Sequence, residues 1–206
     1  MQNTTSISLV RHGQVHNPHE IFYGRLPRFR LSSEGLRQAR AAGQALRNKQ
    51  ISALFSSPLL RARQTAKEIL SYCPHLKIQL SQRLLEINSP WDGKPSAVVD
   101  RRRGDIYTGS DSQFEQPEDV VTRVLRFFNR VLKNYPEKHT VAVTHGDVVA
   151  LTVLWACRAE VSARNKAGLH RYGVTDGYPA TGSITTFLYS SNSVDEQPRI
   201  HYINPK

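Results

Sequence analysis

The chain has 206 residues, 39% apolar and 22% charged, which reads as one compact, soluble, globular domain with a real core. Its apolar runs are too short to span a membrane. Its two cysteines, Cys73 and Cys157, form neither a disulfide scaffold nor a CxxC pair, and its polar opening, Met1 to Ser6, lacks a basic leader and apolar core, so a cytoplasmic home is expected. A net charge of +11 with pI near 10 favours anionic partners, either nucleic acid or a phosphorylated small molecule.

Residues 6–11 read as a short buried strand stopped by Gly13. Residues 14–31 have no period and hold Pro18, Gly24 and Pro27, so they form a long loop of the kind that often carries function. Ser32 or Ser33 caps a helix running to about Asn48, whose Leu36, Ala39, Ala42, Gly43 and Leu46 give a face for close packing. A strand over 51–56 follows, then a helix to about Tyr72 that Ser57 would cap with Pro58 in its first turn. Residues 77–80 make a short strand.

Residues 87–117 are the least periodic and read as an insertion over the site, with one short helix at most. A helix from about Glu118 to Tyr135 carries Val120, Val124, Leu125, Phe128, Val131 and Leu132 at helical spacing. A strand over 140–144, a helix from about Asp147 to Cys157, and strands over 183–189 and 199–203 complete the chain. Strands alternating with helices predict a three-layer α/β/α fold with a mainly parallel central sheet in a single domain, 1–206.

Three strand-to-helix junctions carry unusual residues: Arg11-His12-Gly13, Ser57-Pro58 with Arg61, and His145-Gly146. The carboxyl ends of parallel strands share one edge, where ligands bind and helix N-termini offer N–H groups to anions. Two histidines and two arginines therefore converge on one pocket, and a dianionic phosphate is the natural occupant.

Five stretches in order, Leu9-Val10-Arg11-His12-Gly13, Leu31-Ser32 with Gly35 and Gln38-Ala39, Ser56-Ser57-Pro58 with Arg61-Ala62 and Gln64-Thr65-Ala66, Leu85-Glu86, and Thr144-His145-Gly146, resemble the histidine phosphatase superfamily of phosphoglycerate mutases and phosphatases. The resemblance covers about residues 6 to 190 and implies a phosphoglycerate mutase-like fold. It implies that His12 takes up a phosphoryl group, with one ring nitrogen held by the Gly13 carbonyl. A neutral imidazole suits this role because its ordinary pKa lies near 6.5, and a covalent intermediate splits one hard displacement into two. Arg11 and Arg61 would neutralise the phosphoryl oxygens, and His145 would touch the same group. Glu86 would protonate the leaving oxygen and then accept a proton from water, with Asp92 the nearest substitute.

The family's phosphate-binding Asn normally stands six residues after the nucleophile, where this chain has Pro18, so Asn17 is assigned the role. Gly13 and Gly146 complete the binding set. Tyr23, Arg25 and Arg28 are candidate substrate contacts, and Arg101-Arg102-Arg103 a candidate second anion site.

The spacing of 59 positions between Glu86 and His145 leaves no room for a mutase-type insertion, and Trp91-Asp92-Gly93 resembles the phosphatase branch. The expected function is therefore hydrolysis of a small phosphomonoester. Phosphoglycerate mutase-type transfer and non-catalytic nucleic-acid binding are the alternatives. The basic stripe Arg123, Arg126, Arg130 and Lys133 reads as the solvated face of an amphipathic helix, with no aromatic platform for nucleic acid. No cofactor is implied, nor a membrane or specific nucleic-acid partner, while a homodimer stays open. His12, His16, His19 and Glu20 are not read as a metal site, because Pro18 and the aperiodic loop break ligand spacing.

Overall fold

The computed structural model describes residues 4–205, so Met1–Asn3 of the polar opening lie outside the described residues. One six-stranded sheet organises them. Its strands are β1 (Thr5–Arg11), β2 (Ile51–Ser56), β3 (Ile78–Leu80), β4 (His139–Thr144), β5 (Ile184–Tyr189) and β6 (Arg199–Ile203), in the order β3-β2-β4-β1-β5-β6. The β3, β2, β4 and β1 strands pair in parallel; β5 lies antiparallel to β1, and β6 to β5.

Apolar residues on both faces explain why helices cover both sides. Side chains alternate along a strand. Val10, Leu54, Val141 and Val143 point to one core with α1 (Ser33–Leu46) and α2 (Leu60–Leu70). Ile7, Leu9, Phe55 and Ala142 point to the other, with α4 (Pro117–Asn134) and α5 (Gly146–Ala156). The α5 helix is buried over almost its whole length, as its near-continuous apolar sequence requires. The remaining helix, α3 (Ser96–Arg101), is short and lies within the aperiodic 87–117 stretch. No helix of the described residues is long and apolar enough to cross a membrane.

Element boundaries follow the sequence reading to within a few residues, with one informative departure. Ser57 and Pro58 do not start α2, which begins at Leu60 after a Leu59 that offers no side-chain cap. The Ser57 hydroxyl instead lies 2.8 Å from His145 Nε2. A serine directly after a strand edge can serve a neighbouring strand's side chain as well as its own helix, and here the neighbour wins.

The long loop 14–31 is stitched to the 87–117 stretch. The Phe22 N–H donates to Lys94, Gly93 donates back to Phe22, and Ser96 donates to Glu20, at 2.7–2.8 Å. Loop 14–31 starts with a close backbone approach. A Cβ on Gly13 would lie 2.2 Å from the Gly35 carbonyl oxygen, and a Cβ on Gly35 would lie 2.0 Å from that of Gln14. The loop leaving β1 thus runs directly against the first turn of α1, where Ser32 Oγ accepts from the Gly35 N–H at 3.0 Å. Because the blocking atoms are backbone, Gly35→Ala is expected to destabilise the fold by about 1–3 kcal/mol. Urea unfolding at neutral pH reads this directly, and an unchanged midpoint would show that the contact is soft.

Candidate active site

The parallel register brings the site together. Arg11 pairs with Thr144 across β1 and β4, and Ser56 with Val143 across β2 and β4. The next residues of each strand, His12, Ser57 and His145, therefore leave the sheet side by side, and the His12 N–H donates to the Thr144 carbonyl at 3.0 Å. The two imidazole centroids are 5.1 Å apart.

His12 is buried, and both ring nitrogens are occupied. Nδ1 lies 2.8 Å from the Gly13 carbonyl, which only accepts, so Nδ1 carries the proton. Nε2 is then the lone-pair nitrogen, and it accepts from Arg61 Nε at 3.1 Å. Gly13 is itself fixed, since its N–H donates to Thr65 Oγ1 at 3.1 Å and Thr65 donates to the Arg61 carbonyl at 3.0 Å. Burial, reinforced by the charges of Arg61 and Arg11, holds the His12 pKa well below 6.5. Burial and Arg61 do the same to His145.

Arg61 is fully buried, donates to the Gly24 carbonyl at 2.7 Å, and lies over the Tyr23 ring at 4.8 Å. Arg11 donates to the Pro179 carbonyl at 2.6 Å and faces the Tyr178 ring at 5.2 Å. Two buried polar atoms of the cluster, Arg11 Nε and His145 Nδ1, have no hydrogen-bond partner among the described residues. A buried unsatisfied group costs about 1–3 kcal/mol, which an oxyanion would relieve at the Arg11 N–H.

Glu86 completes the cluster. One carboxylate oxygen lies 3.5 Å from His145 Nδ1 and 3.9 Å from Arg61. Burial raises its pKa, and the pull of Arg61 only partly offsets this. Histidines that stay neutral beside a carboxyl that tends to keep its proton form a nucleophile and acid pair.

The segment carrying Glu86 is clamped from outside. Thr144 Oγ1 donates to the Leu84 carbonyl at 2.8 Å. Arg25 Nε donates to the Glu86 carbonyl at 2.7 Å, and Arg123 reaches the same oxygen at 3.4 Å. Glu115 holds both guanidinium groups at 2.7 Å and accepts from the Asn88 N–H at 2.8 Å.

This network corrects two expectations. Arg25 is a fastener of Glu86 and is absent from the wall of the adjoining cavity. Arg123 is only 14% exposed in its side chain and is no part of a free basic stripe. Asn17 is also placed otherwise: its amide donates to the Ile21 carbonyl at 2.9 Å and accepts from the Ile21 N–H at 3.3 Å. Both ends are spent on the turn that enters the loop, and Asn17 does not line the cavity. Arg28 is exposed. Arg102 bonds the Asp105 and Thr108 carbonyls, so of the triplet only Arg103 reaches the cavity.

That cavity, of about 450 Å³, opens beside the cluster and takes Arg11, Tyr23, Glu86 and Gly146 into its wall. The sequence reading missed a second polar cluster there. Asp147, the first residue after His145-Gly146, accepts from Tyr107 at 2.8 Å, from Tyr178 at 2.6 Å and from Lys166. An acidic residue opening an otherwise apolar buried helix was its one signal. Nothing in the 158–182 stretch marks Lys166 or Tyr178.

His12, Glu86 and His145 could converge on a metal, with ligand atoms within 4.8 Å of one another. The donor set fits poorly. Nδ1 of His12 is bonded to Gly13, Nε2 faces a guanidinium N–H, and two arginine cations would repel a divalent ion. His16, His19 and Glu20 are exposed and away from this cluster.

NMR titration should find both site imidazoles neutral well below pH 6.5, with His12 protonated on Nδ1. An ordinary value near 6.5 at His12 would contradict the burial account. The sign for stability follows. The unfolded chain binds protons on these histidines below about pH 6.5 while the folded chain does not, so stability falls as pH drops. His139, half-buried near Lys49 and lowered to about 4, contributes between about pH 6.5 and 4.

The model of the histidine phosphatase superfamily (branch 1) matches residues 7–180. An uncharacterized protein of Mycobacterium tuberculosis is 42% identical over 94 residues, 46% of each chain, so the aligned part spans under half of that relative. The phosphatase PhoE of Bacillus subtilis is 30% identical over 148 residues, covering 70% of this chain and 74% of its own. The structure of a mycobacterial glucosyl-3-phosphoglycerate phosphatase superposes with a TM-score of 0.76 at 24% identity over 98% of this chain and all of its own, which shows a shared fold. With the family model spanning most of its length, the chain belongs to the histidine phosphatase superfamily, branch 1.

Proposed function

We propose that the protein is a metal-independent phosphomonoesterase working through a phosphohistidine at His12. The observation that carries this reading is the state of the His12 ring: Nδ1–H fixed on Gly13, Nε2 bearing the lone pair, and the pKa held low. In the free site Arg61 Nε occupies that lone pair. A substrate phosphate takes over the Arg61 N–H bond, which frees Nε2 to attack in the same movement.

The first step forms the Nε2–P bond and breaks the bond from phosphorus to the leaving oxygen, which takes the Glu86 proton. In the second step the Glu86 carboxylate accepts a proton from water as the water oxygen attacks phosphorus. The N–P bond breaks, phosphate leaves, and Glu86 is again the acid. Arg11, Arg61 and His145 carry the equatorial charge throughout, and preorganised donors of this kind are worth ~3 kcal/mol each. The N-terminus of α5, which begins at Gly146, adds a favourable dipole for the same charge.

The reading favours hydrolysis over return of the phosphoryl group to a bound acid. The 87–117 stretch adds one short helix to the cavity wall, and no larger insertion separates Glu86 from His145.

Two experiments test this. Brief mixing of the wild-type chain with an aryl phosphate, followed by an alkaline quench, should trap one acid-labile phosphate on His12. His12→Ala should trap none and lose ~1,000-fold or more in kcat. Retained activity in His12→Ala, or faster isomerisation of phosphoglycerate than hydrolysis, would overturn the reading.

The second separates the acid. In kcat/KM, which reports the first transfer and not the shared hydrolysis of the phosphoenzyme, Glu86→Gln should cost ~100- to 10,000-fold on an alkyl phosphate and much less on p-nitrophenyl phosphate, whose leaving group needs no proton. Glu115→Gln, which loosens the clamp on Glu86, should show the same asymmetry in weaker form. Equal losses on both substrates would show that Glu86 supplies no proton. Activity of the wild type on alkyl phosphates should fall only above the raised Glu86 pKa, while chelators should leave it unchanged.

A further inference from the structure

The cavity beside the cluster is too large for the phosphoryl group alone. At about 450 Å³ it holds the volume of roughly fifteen waters, so most of it receives the leaving alcohol. Its composition states what kind of alcohol fits, an inference that rests on the hydrolytic reading above.

Charge comes first. Beyond Arg11, which serves the phosphoryl group, the wall holds two cations, Lys166 and Arg103, and two matching carboxylates, Asp147 and Asp100. Lys166 is 4% exposed, contacts Asp147 directly, and lies over the Tyr107 ring at 4.9 Å. Arg103 shares its wall with Asp100, three residues earlier on the same turn. A second phosphate or a carboxylate on the substrate would meet Lys166 already paired with Asp147, and beside Arg103 it would also meet the Asp100 carboxylate. The net charge of +11 over the whole chain is therefore not reproduced inside the cavity.

Apolar surface comes second. Phe22, Val99 and Ile106 line the same space, with the Tyr23 and Tyr178 rings. These would be exposed at a cost beside a small hydrated acid, whereas a ring-bearing alcohol covers them. Hydrogen-bonding capacity is present without net charge. The Lys166 ammonium has three N–H groups and gives one to Asp147, and Ser96 adds a hydroxyl. Such groups suit hydroxyls on a ring.

We propose that the substrate is the monophosphate ester of an uncharged, partly apolar, ring-bearing alcohol of nucleoside size, and that this cavity discriminates against bisphosphates and phospho-acids. Lys166 and Asp147 form the polar contact for its hydroxyls, and Asp100 is the residue that keeps a second anion out.

The test compares kcat/KM for a nucleoside 5′-monophosphate, a hexose bisphosphate and 3-phosphoglycerate on the wild type and on Asp100→Lys. Asp100 is exposed and outside the catalytic cluster, and the readout is the ratio of kcat/KM between substrates on one variant, so a general change in activity cancels. The nucleoside monophosphate should be favoured by about 10-fold or more on the wild type, the effect of an unmatched like charge. Asp100→Lys should shift the ratio toward the bisphosphate by a similar factor. A wild-type preference for the bisphosphate or phosphoglycerate, or a ratio unmoved by Asp100→Lys, overturns the inference. Failure of the underlying reading shows differently: no acid-labile phosphate would then be trapped from any substrate, p-nitrophenyl phosphate included.

Discussion

Everything in this site depends on burying one guanidinium group, and half-burying a second, beside two imidazoles. Arg61 is fully buried, and its Nε–H is bonded to the nitrogen that is to react. Burying a cation against a neutral ring is unfavourable unless an anion is to join them. Arg11 Nε, buried and without a hydrogen-bond partner among the described residues, states the same requirement. The fold therefore stores a demand for an oxyanion at one place. The same burial that creates the demand keeps the imidazoles neutral and raises the Glu86 pKa. One physical cause thus prepares nucleophile, charge clamp and acid together.

The sheet makes this arrangement affordable. Three strands in parallel register end at the same level, so Ser57 and His145, which follow His12 by 45 and 133 positions, need only leave the strand ends to meet it. Strand β1 is held on both sides, by β4 and β5, which fixes the height of His12. The Gly13–Gly35 approach then turns the chain away from the ring sharply enough for the Gly13 carbonyl to reach Nδ1. Glu86 is positioned in a different way. It follows a short 3₁₀ turn and takes its place from the Glu115, Arg25 and Arg123 clamp, which ties the acid to α4 and to the loop after β1.

What could be read from sequence divides along the same line. Residues placed by strand ends were legible, because apolar alternation and a following Gly or Pro mark the edge where ligands bind. His12, Arg61 and His145 were found on that ground. Residues placed by side-chain contact were not. Ser57 reads locally as a helix cap, and only the neighbouring strand shows that it serves His145. Arg25 has the look of a substrate contact because it is a cation in a functional loop, yet Glu115, 90 positions away, claims it. Asn17 carries the right amide at a spacing one residue short, and its local turn with Ile21 consumes both ends. Lys166 and Tyr178 stand in an irregular stretch with no period to place them. Long-range polar pairing leaves no periodic trace, so the catalytic centre was more legible than its surroundings.

The central claim is that the phosphoryl group is transferred twice, first to His12 and then to water. The most direct measurement is the stereochemical course at phosphorus, using a phosphomonoester made chiral with oxygen isotopes. Two in-line displacements, each inverting, predict overall retention of configuration. Overall inversion would mean that water attacks the substrate in a single step and that His12, however well prepared, never carries the group.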